Sequence, residues 1–112
     1  MNKKYIVRKN EEIQKIVQEN NKVFNKYYVL YYKKNDFSYN RYCISVSKKI
    51  GKANVRNLFK RRIKDILMKN NLNSSCDYVI ILRNGVLSLS YNQMKDEIIN
   101  LLKGEVKWKR KF

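Results

Sequence analysis

Between Lys48 and Lys64 the chain carries eight basic residues, Lys48, Lys49, Lys52, Arg56, Lys60, Arg61, Arg62 and Lys64, and no acid interrupts them. A helix turns about 100° per residue. With Arg56 set at zero, Lys60 falls at about 40°, Lys64 at about 80°, Asn57 at about 100° and Arg61 at about 140°. Val55, Phe59, Ile63 and Ile66 collect between about −100° and −20°. One stripe is therefore apolar and can anchor the helix, and the face beside it is a ladder of cations. Like charges at i, i+4 repel by a few tenths of a kcal/mol per pair. Surface faces normally mix signs. A ladder of one sign suits a polyanion; the plainer alternative is a solvated face in a lysine-rich protein.

The same inventory excludes much chemistry. Histidine is absent, which removes the commonest general base and metal ligand at neutral pH. The nine acids are scattered, apart from Glu11-Glu12 and Asp96-Glu97. Neither pair makes a two-metal carboxylate site. Three glycines do not build a phosphate-cradling loop. A stand-alone nuclease would need a carboxylate cluster that the chain does not offer.

The totals agree. The chain has 112 residues, 44% of them hydrophobic, enough for one core and one domain over 1–112. The formal net charge is +17, which points to nucleic acid or an anionic membrane surface. A membrane-surface helix fits poorly, because the basic helix also carries a core-forming stripe and sits between strands. No 18-residue apolar run exists, and MNKKYIVRKNEE has no apolar segment of the kind a signal peptide needs. Cys43 and Cys76 stand in no metal spacing and read as reduced, buried thiols of a cytosolic protein without a disulfide-linked partner, a single disulfide between them being the lesser alternative.

The elements that must position the ladder follow from periodicity. Residues 1–9 read as extended or loose. Asn10 is placed to cap a helix with Glu11 and Glu12 in its first turn, and Ile13, Ile16 and Val17 form its apolar stripe. It should end around Asn20-Asn21. Val23 to Lys34 reads as one strand, with Tyr27, Val29, Tyr31 and Lys33 on one face and Tyr28, Leu30, Tyr32 and Lys34 on the other. Those tyrosines are either a stacking platform for single-stranded RNA or two core and two surface residues. Asn35-Asp36 carries the turn signal of a hairpin leading to a strand over Tyr39–Ser47. There Tyr42, Ile44 and Val46 face one way, and Arg41, Cys43, Ser45 and Ser47 the other. The basic helix runs from about Ala53 or Asn54 to about Asn70, followed by a polar loop, Asn71 to Ser75. Asp77 to Arg83 is a continuous apolar run, the pattern of a strand buried on both faces. Asn84-Gly85 breaks it. Ser90 with Gln93 forms a capping box for a last helix with Met94, Ile98, Leu101 and Leu102 inward and Gly104 as its C′ residue. The tail EVKWKRKF, with Trp108 and Phe112, is a frayed end or a second nucleic-acid contact.

With SVSKKIG entering a helix as A-x-x-R-N-x-x-K-R, this order of elements resembles the protein subunit of bacterial ribonuclease P. Ser45, Val46, Ser47, Lys48, Lys49, Ile50 and Gly51 match the family's strand end, and Ala53, Arg56, Asn57, Lys60 and Arg61 its Arg-Asn-Arg helix. Lys9-Asn10-Glu11, Val29-Leu30-Tyr31 and Asp77-Tyr78-Val79-Ile80-Ile81 extend the likeness over nearly the whole chain. The second marker arginine is Leu58 here, with Arg62 one turn further on. The resemblance implies an α+β fold, a two-layer α/β sandwich of α-β-β-β-α-β-α type with a left-handed β-α-β crossover, as in ribosomal-protein-like folds. It implies cytoplasmic removal of the 5′ leader from precursor tRNA, with catalytic Mg²⁺ held mainly by a partner RNA. Lys48, Lys49, Lys52, Arg56, Asn57, Lys60, Arg61 and Lys64 would bind that RNA. Ile13, Val17, Tyr31, Arg41 and Ser45 would line a groove for the leader. Family members often place aromatics on the groove side of the first helix, where Ile13 and Val17 stand. A ribosome-associated or general RNA-binding protein is the alternative.

Overall fold

The computed structural model describes residues 2–70 and 74–104, and the helical backbone on to Arg110. Along the chain run α1 (Asn10–Gln18), β1 (Lys22–Phe24), β2 (Tyr28–Lys34), β3 (Arg41–Val46), α2 (Ala53–Lys69), β4 (Cys76–Leu82) and α3 (Tyr91–Arg110). This is the expected α-β-β-β-α-β-α order. The strands form one sheet in the order β1-β2-β4-β3. β4 is antiparallel to β2 and parallel to β3, so β3-α2-β4 is a β-α-β unit. The uninterrupted apolar run of β4 has its cause here: the strand lies between two others, with helices packed on both faces.

Alternation along the strands sends Tyr28, Leu30, Tyr32, Tyr42, Tyr78, Ile80 and Leu82 to one face. There they meet Phe59, Ile63, Ile66 and Leu67 of α2 and Met94, Ile98 and Leu102 of α3. This sheet-on-helix sandwich holds the main core; each large side chain fully buried in it is worth about 1.5–3 kcal/mol. Inside it, the Tyr28 hydroxyl donates to the Met94 carbonyl at 3.2 Å, and the Tyr42 and Tyr78 rings stack at 5.7 Å. On the opposite face α1 lays Ile16 over Val79, with Val7, Ile13, Tyr31, Cys43 and Ile81 around them. Of the four tyrosines in 27–32, Tyr28 and Tyr32 are core, whereas Tyr27 and Tyr31 are half-buried. Both cysteines are free thiols.

The structure corrects five expectations. The run Val23–Lys34 is two antiparallel strands, because the Asn25 side chain accepts from the amides of Tyr27 and Tyr28 at 2.8 and 2.9 Å and turns the chain there. Asn35-Asp36 closes no hairpin, since β4 lies between β2 and β3. Asn35 still makes a turn, accepting from the Phe37 amide, but its side-chain amide donates across the gap to Asp77 at 2.8 Å. Asn10 is the first helical residue rather than the cap, and Lys9 at the cap position makes no side-chain bond to the helix. Residues 1–9 are not loose throughout: Lys3–Tyr5 form a 3-10 turn, Ile6 bridges to Tyr42 and Val7 is buried. Gly104 does not end α3, whose backbone continues to Arg110. The side chain of Trp108, residue Phe112 and loop residues 71–73 lie outside the described residues.

The capping box forms as read. The Ser90 amide donates to Gln93 Oε1 at 2.9 Å, and the Gln93 amide donates to Ser90 Oγ at 3.2 Å. Ser90→Ala should cost about 1 kcal/mol, lowering the melting temperature by about 4 °C in a thermal unfolding experiment.

Candidate nucleic-acid interface

α2 is held by its apolar stripe, with Phe59, Ile63 and Ile66 buried and Val55 packed against them. That packing fixes which way the cations face. Asn54, Asn57, Lys60, Arg61 and Lys64 line one shallow depression of about 410 Å³. Asn54 is added by the structure; its signal in the sequence is its place a turn ahead of Asn57 on the same helix. Among the described residues no ion pair holds Lys60, Arg61 or Lys64. Lys48 and Lys49 are exposed on a 3-10 turn, and Lys52 is exposed at the start of α2. Arg56 stands apart from the depression. It is half-buried, and its Nε is enclosed without a hydrogen-bond partner.

Leu58, where the family marker has an arginine, is exposed. Arg62 does not take its place on the polar face. Its guanidinium lies over the Phe59 ring at 5.3 Å, at the margin of the core.

The second surface lies on the α1 side of the sheet, and strand register defines it. Tyr31, Val79 and Cys43 form one row across β2, β4 and β3; Val29, Ile81 and Ser45 form the next. α1 packs on the first row through Ile13 and Ile16. The second row runs out toward Ser45, which is exposed. Val29 and Ile81 also belong to this face; sequence reasoning passed over them as site residues, although simple alternation places both there. Val17 projects outward from α1, and the Lys22 ammonium stands 5.7 Å from the Tyr31 ring. The Cys43 thiol is pushed up by burial, and the nearby Lys60 ammonium opposes that rise.

Arg41 belongs to a third row, with Lys33 and Asp77, on the other side of the Tyr31 row from Ser45. It is not a free cation. Its Nε donates to Asp77 Oδ1 at 2.9 Å, and its Nη2 donates to Asp77 Oδ2 at 2.6 Å and to Glu12 Oε2 at 2.5 Å. One guanidinium thus ties β3 to β4 and to α1, and it engages both carboxylates. Among the described residues no three His, Cys, Asp or Glu side chains come together as a metal site. No helix among the described residues is long and apolar enough to cross a membrane.

Comparison with known proteins places this geometry. The ribonuclease P family model matches residues 1–105. The chain is 42% identical to the ribonuclease P protein component of Mycoplasma mycoides, over 92% of this chain and 97% of that protein. It is 38% identical to the component of Geobacillus sp. strain WCH70, over 92% and 91%. A Staphylococcus aureus RNase P protein mutant superposes with a TM-score of 0.84 at 30% identity, covering 90% of this chain and 87% of that one. The Thermotoga maritima RNase P protein gives 0.81 at 29% identity, covering 87% and 94%. The basic helix, the sheet around it and the match along nearly the full length agree: the chain belongs to the ribonuclease P protein family.

Proposed function

We propose that this chain binds ribonuclease P RNA through α2 and the 5′ leader of precursor tRNA through the groove between α1 and the sheet. Membership of the family makes it a subunit of ribonuclease P, the RNA-based and metal-requiring endoribonuclease of tRNA 5′ maturation, with ribonuclease P RNA as partner. In our reading it acts as one domain in the cytoplasm, and the RNA subunit holds the Mg²⁺. The observation that carries the assignment is the cluster of Asn57, Lys60, Arg61 and Lys64 in one depression, with no acid partner among the described residues. Phosphates would satisfy those charges, and the apolar stripe on the other side of α2 keeps the cluster in place.

Lys48, Lys49, Lys52 and the outer end of Arg56 extend the RNA surface. Ile13, Val17, Tyr31 and Ser45 line the leader groove, with Val29 and Ile81 on its floor. Arg41 serves the groove as a positioning residue, holding α1 against the strands. Tyr31 offers the groove a ring on which a leader base can stack, while Ile13 and Val17 exclude water without stacking.

Reconstitution tests this reading. The protein is mixed with its partner RNA at low Mg²⁺, and 5′ cleavage of a leader-bearing precursor tRNA is followed, alongside binding of mature tRNA that has no leader. The expected result is faster cleavage at low Mg²⁺ and tighter binding of the leader-bearing RNA only. Cleavage that the protein does not accelerate, or equal gains in binding with and without a leader, would reject the reading.

A further inference from the structure

Beside the C-terminal end of α2 lies a cavity of about 340 Å³ that the two surfaces above do not use. Lys4 and Tyr5 come to it from the N-terminal turn, Ser38 and Tyr39 from the segment between β2 and β3, and Leu67 and Met68 from α2. Its rings are organised. Tyr5 meets Tyr39 edge to face at 5.4 Å, and Phe37 stacks on Tyr39 at 5.2 Å. The Lys4 ammonium stands over both tyrosines, 5.0 and 5.1 Å from their centres.

Three features separate this cluster from ordinary core. Tyr5 and Tyr39 are only half-buried and Met68 at the rim is 41% exposed, so the rings that line the cavity are not closed off from solvent. Among the described residues no carboxylate lines the cavity. The cavity is also continuous with the cationic helix: Met68 borders it and a neighbouring depression lined by Arg61, Lys64 and Asp65. Arg61 and Lys64 in turn line the depression at Asn57 and Lys60. The acid on this path, Asp65, is already held by Lys69 at 3.1 Å and by the Tyr91 hydroxyl. A chain of cations therefore leads along α2 to a set of rings with an ammonium over them.

We propose that this cavity takes one unpaired base of ribonuclease P RNA, from a strand whose phosphates follow α2. Aromatic rings stack any base, because every base has a π-face. Phe37 covers one side of Tyr39 and Lys4 stands over the rings on the cavity side in the free protein; the long Lys4 side chain can swing out to meet the phosphate of the incoming nucleotide. The proposal rests on the reading of α2 as the RNA-subunit surface, and the test separates the two.

Binding of the RNA subunit is measured over a salt series for the parent, Tyr39→Leu, Tyr39→Trp and Arg61→Ala, with circular dichroism to show each is folded. Loss of a stacked base should weaken Tyr39→Leu about tenfold without changing the salt slope, and Tyr39→Trp should restore affinity. Arg61→Ala should lower the slope. Parent-like binding by Tyr39→Leu beside a weakened Arg61→Ala overturns the base site and leaves the α2 reading standing. No change in either variant overturns both. Weakened binding of precursor tRNA with unchanged binding of the RNA subunit also overturns the proposal. If Tyr39→Leu does not fold, Tyr5→Leu, whose ring meets Tyr39 in the same cavity, carries the same test.

Discussion

Alanine at Arg41 is expected to lower the melting temperature by about 12 °C or more. The side chain is only 16% exposed, and Asp77, its bidentate partner, 9%. Removing one partner of a buried ion pair costs about 3–5 kcal/mol, because the other charge is left without compensation. At about 4 °C per kcal/mol for a chain of this size, the shift follows. Asp77 would keep the Asn35 amide at 2.8 Å, which does not replace a cation. Glu12 is more exposed, so Glu12→Gln should cost much less. Arg41→Met combined with Asp77→Asn should recover most of the loss, since neither then strands a charge. The pH dependence has a definite sign. The hydrogen bonds that Arg41 donates to Asp77, ahead of the one it donates to Glu12, hold the guanidinium protonated above its already high range. A raised value means stability that is lost only as pH climbs through it, so Arg41 adds no pH dependence near neutrality. A parent-like melting curve for Arg41→Ala would show that the tie between α1, β3 and β4 contributes little.

This clamp marks where sequence reasoning ran short. Alternation placed Arg41 on the face it shares with Cys43 and Ser45, and the family resemblance then made it a groove-lining residue. What alternation does not contain is the strand order. Only with β4 between β2 and β3 does Asp77 come beside Arg41, and only then does α1 bring Glu12 over both. The hairpin signal at Asn35-Asp36 was a real turn, yet a turn does not state which strand its chain will pair with. Likewise the splitting of Val23–Lys34 hung on one Asn25 side chain, against a run of residues that mostly favour strand. The helices were easier, because their signals are redundant. Phe59, Ile63 and Ile66 repeat at helical spacing and are all buried, and Ser90 with Gln93 closes the box that the spacing announced. The cationic face of α2 was legible for the same reason: once the apolar stripe is fixed, every other residue on the helix has an assigned direction. The rings of Tyr5, Phe37 and Tyr39 were not, because they come from segments without periodicity.

Replacing both Lys60 and Arg61 by alanine should weaken binding of the RNA subunit by about a hundredfold or more. Each charge-assisted contact is worth about 1.5–3 kcal/mol, and the two residues share one depression, so both act on the same stretch of RNA. The logarithmic salt slope should fall by about 1.4–1.8, from about 0.7–0.9 per phosphate contact. Fold stability should rise slightly or stay put. Arg61 is exposed and Lys60 half-buried, and neither pairs with an acid among the described residues. Alanine is the better helix former, and relief of the Arg56–Lys60–Lys64 repulsion adds a few tenths of a kcal/mol per pair. Binding lost with the melting temperature kept is the opposite signature from Arg41→Ala, so paired salt titrations and melting curves separate a contact from a clamp. A double variant that kept the parent's slope would place the phosphate contacts elsewhere, since counterions displaced from RNA must be replaced by cations of the protein.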